Sequence, residues 1–279
     1  MHPYVVADVF TERPLKGNPV AVFTAGHDVP AEHMQAIARE TNLSETVFVL
    51  PPTNGGDAKV RIFTPALELP FAGHPILGTA YVLGQTIEGD SISLETGKGI
   101  VPVALTRDGD RIVSGRMSQP VPTWEEFADA AELLAALGVR YSVLPVDVYT
   151  NGPRHLYVML DTTDAVAALR PDMSVLAELP GIGVNCFAGS GLRWKTRMFG
   201  PSLGVNEDPA TGSAAGPLAV HLARYGRVPF GQDVEISQGA EIHRPSTLYA
   251  RVEGSGEQID KVEVAGSAVI VAHGTLLLS

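Results

Sequence analysis

Two stretches of the chain, residues 61–80 and 197–219, repeat one another. Arg61-Ile62-Phe63-Thr64-Pro65 is answered by Arg197-Met198-Phe199-Gly200-Pro201. Ala72-Gly73-His74-Pro75-Ile76-Leu77 is answered by Thr211-Gly212-Ser213-Ala214-Ala215-Gly216. The offset is 136 residues at the arginine (197 − 61) and 139 at the glycine (212 − 73), about half of the 279-residue chain. Asn18-Pro19 and Gly152-Pro153, each leading into an apolar run, extend the match upstream. A chain built as two similar halves can place two helix starts on opposite sides of one cleft, which suits capture of an anion. The expected division is 1–124 and 125–279, with the last strand free to cross back to the first lobe and the active site in the cleft between.

Each half reads as many strands around one unusually apolar helix. Val5–Phe10, Val20–Phe23, Glu45–Leu50 and Lys59–Phe63 have the β-branched and aromatic content of strands, and Gly17-Asn18-Pro19, Pro51-Pro52 and Asn54-Gly55-Gly56-Asp57 mark turns. Residues 69–87 contain no Asp, Glu, Lys or Arg. Pro70, Gly73, Pro75, Gly78 and Gly84 interrupt that run, so a short buried helix after Pro75 fits better than a membrane span. A second uncharged helix is expected from about Gly212 to Ala223. A helix with no polar face must be surrounded, which implies a strongly curved sheet wrapped around it. Glu125–Leu137 reads as an amphipathic helix near the boundary between halves, with Gly138 as its stop.

Composition narrows the function. With 45% hydrophobic and 18% charged residues, the chain can bury a core. A net charge of −11 argues against nucleic acid as the main partner, because phosphate binding needs a basic stripe. It gives no long-range steering for an anion either, so local dipoles must hold one. The single cysteine, Cys186, excludes an intrachain disulfide. Met1-His2-Pro3-Tyr4 lacks the flank and apolar stretch of a signal peptide, and a cytoplasmic protein is expected. No His-Glu-x-x-His motif, Cys/His cluster, Walker loop or dinucleotide fingerprint is present, so neither a metal nor a cofactor is implied.

The candidate chemistry gathers at the two helix starts. Gly73-His74-Pro75 and Gly212-Ser213-Ala214 put a glycine where backbone can approach a ligand, and free N–H groups there attract a carboxylate. Ordinary capping is the alternative: Ser213 is a good N-cap and Pro75 suits a first turn. His74 stands where a helix N-terminus would lower its pKa and leave a neutral ring. Asp208 could cap the second helix or hold a cationic or hydroxyl group of a ligand. Glu45 enters an apolar strand, and partial burial there would give a raised pKa suited to taking and returning a proton.

These residues carry a resemblance. Gly17-Asn18-Pro19-Val20-Ala21-Val22, Leu43-Ser44-Glu45-Thr46, the segment from Arg61 to Pro75, Asn151-Gly152-Pro153-Arg154-His155, Asn185-Cys186-Phe187-Ala188-Gly189 and Glu207-Asp208-Pro209-Ala210-Thr211-Gly212-Ser213-Ala214 resemble the PhzF family of phenazine biosynthesis, almost end to end. The resemblance implies an α+β, diaminopimelate epimerase-like fold: two pseudo-symmetric lobes, each a curved sheet or barrel around a central helix. Where diaminopimelate epimerases carry two catalytic cysteines, this chain has Ala72 and Thr211, which turns attention to Glu45. The implied reaction is isomerisation of trans-2,3-dihydro-3-hydroxyanthranilate to 6-amino-5-oxocyclohex-2-ene-1-carboxylate without a cofactor. Glu45 would move a proton from C3 to C1. Asp208 and His74 would fix the amino and hydroxyl groups, and Ser213 with the Gly73 and Gly212 N–H groups would hold the carboxylate. A homodimer is expected on the same ground. A related isomerase or epimerase of another small amino or hydroxy acid, or a non-catalytic carboxylate-binding protein, are the alternatives.

Overall fold

The computed structural model describes residues 1–278. The chain divides into two units, residues 1–118 with the segment from Ala265 onward, and Gln119–Val264, where the sequence suggested a change at 124 to 125. In chain order the first unit holds β1 (His2–Val9), β2 (Asn18–Phe23), α1 (Ala31–Thr41), β3 (Glu45–Leu50), β4 (Ala58–Phe63), β5 (Glu68–Leu69), α2 (Gly73–Leu83), β6 (Ser91–Thr96), β7 (Gly99–Asp108) and β8 (Arg111–Gln119). The second holds β9 (Thr123–Glu126), α3 (Ala130–Ala136), β10 (Asp147–Thr150), β11 (Arg154–Met159), α4 (Thr163–Ala168), α5 (Met173–Leu176), β12 (Ile182–Ser190), β13 (Arg193–Gly200), β14 (Val205–Asp208), α6 (Gly212–Arg224), β15 (Asp233–Gln238), β16 (Ser246–Ser255) and β17 (Gln258–Gly266). The last strand, β18 (Ala268–Leu276), pairs antiparallel with β1.

The repeat in the sequence is a repeat in strand pairing. In the first unit β2 runs parallel to β3, β3 antiparallel to β4, β4 antiparallel to β5 and parallel to β6, and β6 antiparallel to β7. The second unit gives the same series with β11, β12, β13, β14, β15 and β16 in those places. The outer pairs also correspond: β18–β1–β2 is matched by β9–β10–β11.

A buried helix sits at the heart of each unit. Nine of the eleven residues of α2 are buried, and the helix packs against β1, β2, β3, β6, β7 and β18. Burial of this kind contributes roughly 1.5–3 kcal/mol for each large aliphatic side chain such as Ile76 or Leu77. Gly78 allows the approach, since a Cβ there would lie 2.6 Å from Val20 Cγ1 and 2.8 Å from Val9 Cγ2. On the opposite face of the sheet, Ala21, Phe23, Phe48 and Phe63 pack with Met34, Ile37 and Ala38 of α1. Strand β2 is therefore covered on both faces, which is why its sequence is a continuous apolar run. In the second unit every residue of α6 except Arg224 is buried, and α3, α4 and α5 cover a separate core with Leu156, Val158, Val184 and Phe199.

The repeated Arg-x-Phe motif is structural. Arg61 donates from Nε and Nη2 to both carboxylate oxygens of Glu68, at 2.8 and 2.7 Å, and its guanidinium lies 5.0 Å from the Phe63 ring centre. Arg197 does the same with Glu207, at 2.8 Å for each bond, and lies 4.9 Å from the Phe199 ring. Each pair ties a long strand, β4 or β13, to the short strand that leads into the central helix.

Two sequence expectations change. The helix expected over Glu125–Leu137 is limited to Ala130–Ala136, because Thr123–Glu126 pairs with β10 as strand β9. Ser213 is not the N-cap of α6; Thr211 holds that position and makes no side-chain cap bond. No helix among the described residues is long and apolar enough to cross a membrane.

Candidate active site

In the first unit, the start of α2 and the start of β3 bring Glu45, Gly73 and His74 together. Ala72 is the N-cap and has no side-chain acceptor to offer, so the Gly73 and His74 N–H groups lack both an intrahelical partner and a side-chain cap. Pro75, third in the helix, has no N–H to satisfy. His74 is 3% exposed, and burial pushes its ring down to about 3 against the upward pull of the Pro19 carbonyl. The ring is therefore neutral near pH 7, with one N–H to give and one lone pair to receive.

His74 Nδ1 lies 3.2 Å from Glu45 Oε2 and 3.2 Å from Asn18 Nδ2. The Asn18 amide nitrogen can only donate, so in that contact Nδ1 is the acceptor. The Glu45 carboxyl, with a side chain 15% exposed, lies beside this ring without forming a hydrogen bond to it through Oε2. A carboxyl so placed can take a proton and give it back.

The second unit brings together Asp208, Gly212 and Ser213, each 6% exposed or less where side chains are concerned. Gly212 and Ser213 are the first two residues of α6, so their N–H groups have no intrahelical acceptor. The Ser213 hydroxyl pairs with His155 Nε2 at 3.1 Å instead of capping the helix. His155 is buried, and burial pushes it down to about 3, so this ring is neutral too. Asp208 ends β14, and its Oδ2 accepts the Thr211 hydroxyl at 2.6 Å.

Buried side chains hold the first turn of α6 by its carbonyls. Pro217, inside the helix, cannot supply the N–H that the Ser213 carbonyl would otherwise receive. Asn151 Nδ2 donates to that carbonyl at 2.9 Å. Gln119 Nε2 donates to the Gly212 carbonyl at 2.8 Å and the Tyr157 hydroxyl to the Ala214 carbonyl at 2.7 Å. Asn18, Asn151 and His155 lay within quoted motifs but carried no assigned role. Gln119, Tyr157 and Gln238 gave no local signal, because their partners lie 93, 57 and 27 residues away.

A family model described as phenazine biosynthesis-like protein (PhzC-PhzF) matches residues 7–274. A Pseudomonas aeruginosa protein named trans-2,3-dihydro-3-hydroxyanthranilate isomerase is 55% identical over 278 residues, covering 100% of both chains. A crystal structure of a PhzF family phenazine biosynthesis protein from Bacillus anthracis superposes with a TM-score of 0.86 at 26% identity, covering 99% of each chain. A probable proline racemase from Agrobacterium radiobacter shares the fold alone, with a TM-score of 0.70 at 13% identity over 100% of this chain and 94% of that one. The fold is α+β and diaminopimelate epimerase-like, and the chain belongs to the phenazine biosynthesis-like PhzC-PhzF family.

Proposed function

We propose that this protein isomerises trans-2,3-dihydro-3-hydroxyanthranilate to 6-amino-5-oxocyclohex-2-ene-1-carboxylate, a step of phenazine biosynthesis. The observation that carries the reading is the 55% identity, over full length, to a protein named for that isomerase activity. In the mechanism we infer, Glu45 takes the hydrogen from C3 as a proton while the ring double bonds shift, and returns it to C1 on the same face. The resulting enol then becomes the ketone, so atoms and electrons balance with no oxidant or reductant. His74, neutral and 3.2 Å from the Glu45 carboxyl, steadies charge as the carboxyl changes state. Asp208 holds the amino and hydroxyl groups. Ser213 and the N–H groups of Gly73 and Gly212 hold the carboxylate, each helix dipole adding about 0.3–2 kcal/mol.

One carboxyl can serve two carbons only when the ring is held still and water is kept away. Proton NMR of the substrate mixed with the protein tests the assignment. Glu45→Gln keeps the shape of the side chain and removes its acid–base capacity, so turnover should fall at least ~100-fold while ligand affinity is largely kept. Near-normal turnover in that variant would remove Glu45 from the mechanism. We propose a homodimer as the assembly, which light scattering decides.

A further inference from the structure

The turn Asp208-Pro209-Ala210-Thr211 is governed by one side chain from another strand. Gln238, at the end of β15 and 2% exposed, uses both ends of its amide there. Its Oε1 accepts the Thr211 backbone N–H at 3.1 Å. Its Nε2 donates to the Asp208 carbonyl at 2.8 Å and to Thr211 Oγ1 at 2.9 Å. The backbone N–H settles which end of the amide is oxygen, and the two hydrogens on Nε2 are then both accounted for. Thr211 Oγ1 has accepted one hydrogen and keeps its own to give. Asp208 Oδ2, at 2.6 Å, receives it.

The helix makes no use of this hydroxyl. Thr211 stands at the N-cap of α6, where a threonine oxygen ordinarily accepts a first-turn N–H, yet it makes no cap bond. A threonine cap ordinarily stabilises a helix, so the hydroxyl is diverted at a cost to the helix. The backbone is pressed into place as well: at Gly239 (φ 77) a Cβ would lie 2.5 Å from the Pro209 carbonyl oxygen. On the paired strand β13 the charged groups are otherwise engaged, Arg197 with Glu207 and Lys195 with Glu241, while Arg193 faces solvent.

We propose that Gln238 and Thr211 are positioning residues that act through Asp208. Their oriented chain of hydrogen bonds holds the Asp208 carboxylate ionised and fixes its direction for the substrate. A carboxylate that receives a hydroxyl hydrogen is stabilised in its charged form, and its direction is set by the donor. The proposal rests on the reading of Asp208 as a substrate-holding group, and the test separates the two.

The direct measurement is NMR titration of the aspartate side-chain carboxyls in full-length protein labelled with carbon-13, the Asp208 signal being assigned with Asp208→Asn. Thr211→Val keeps the side-chain shape and removes the donor. It should raise the Asp208 midpoint by about one pH unit and lower turnover roughly tenfold, with the acid limb of the rate profile moving up in step. Thr211→Ser should restore both. Gln238→Met removes the donor to Thr211 Oγ1 without adding a charge, and should shift the midpoint in the same direction. An Asp208 midpoint in Thr211→Val unchanged from the parent protein overturns the proposal, whatever the turnover. A shifted midpoint together with normal turnover in Asp208→Asn overturns the part given to Asp208 in the reaction.

Discussion

His74, His155 and His221 are each sealed from water, and burial pushes all three down to about 3 from 6.5. For His221 the Arg224 guanidinium adds to the effect. In the unfolded chain these rings take up protons below about pH 6.5, whereas in the folded protein they stay neutral until about pH 3. Between those limits the unfolded state binds more protons, so stability is full above pH 6.5 and falls as pH drops towards 3. Each ring contributes up to about 1.4 kcal/mol per pH unit across that window. His221 lies outside the proposed chemistry, packed among Tyr149, Tyr157, Phe187 and Tyr225. Urea midpoints measured from pH 7 to pH 5 should fall in the parent protein and fall less steeply in His221→Gln. Equal slopes would show that His221 is not held neutral.

At the scale of the element, α6 depends on side chains that replace its own hydrogen bonds. Pro217 removes the N–H four residues on from Ser213, and Asn151 supplies a donor in its place. Removing that donor with Asn151→Ala should cost about 1–3 kcal/mol, the range for a buried carbonyl left without a partner. Pro217→Ala returns a backbone N–H to the same carbonyl. The cost of Asn151→Ala should therefore be smaller in the Pro217→Ala background, which a double-mutant cycle of urea unfolding measures. Strict additivity would mean that the two donors do not serve one acceptor. The uncharged character of α2, and of α6 as far as Ala223, was legible in the sequence, because no Asp, Glu, Lys or Arg falls within residues 69–87 or 212–223. The clamps on α6 were not: a glutamine or asparagine far away in sequence looks like any surface amide until the chain is folded. Thr211 and Ser213 show the same limit. Both suit an N-cap, and only the bonds to Asp208 and His155 reveal that neither side chain caps the helix.

For the molecule as a whole, duplication is the organising fact, and it was visible as residues at fixed spacing. The Arg61–Glu68–Phe63 group returns as Arg197–Glu207–Phe199, yet the two have drifted apart in environment. The first arginine side chain is 29% exposed and the second 6%. The second also donates to the Val166, Ala167 and Leu169 carbonyls at the end of α4. The candidate residues likewise differ between copies, Glu45 and His74 in the first unit and Asp208 and Ser213 in the second. Strand β9 escaped sequence reading because its pattern, Thr123-Trp124-Glu125-Glu126, merges with the helical spacing that follows, and pairing with β10 decided the matter. The proposed reaction asks a single carboxyl to move hydrogen while other groups hold the ring. The stereochemical course of the reaction in deuterated water, read at C1 of the product by NMR, tests this most directly. Hydrogen delivered to C1 on the ring face from which the C3 hydrogen was lost, protium carried over from C3 or deuterium gained by exchange at Glu45, is the result expected of Glu45 acting alone, and deuterium on the opposite face would contradict it.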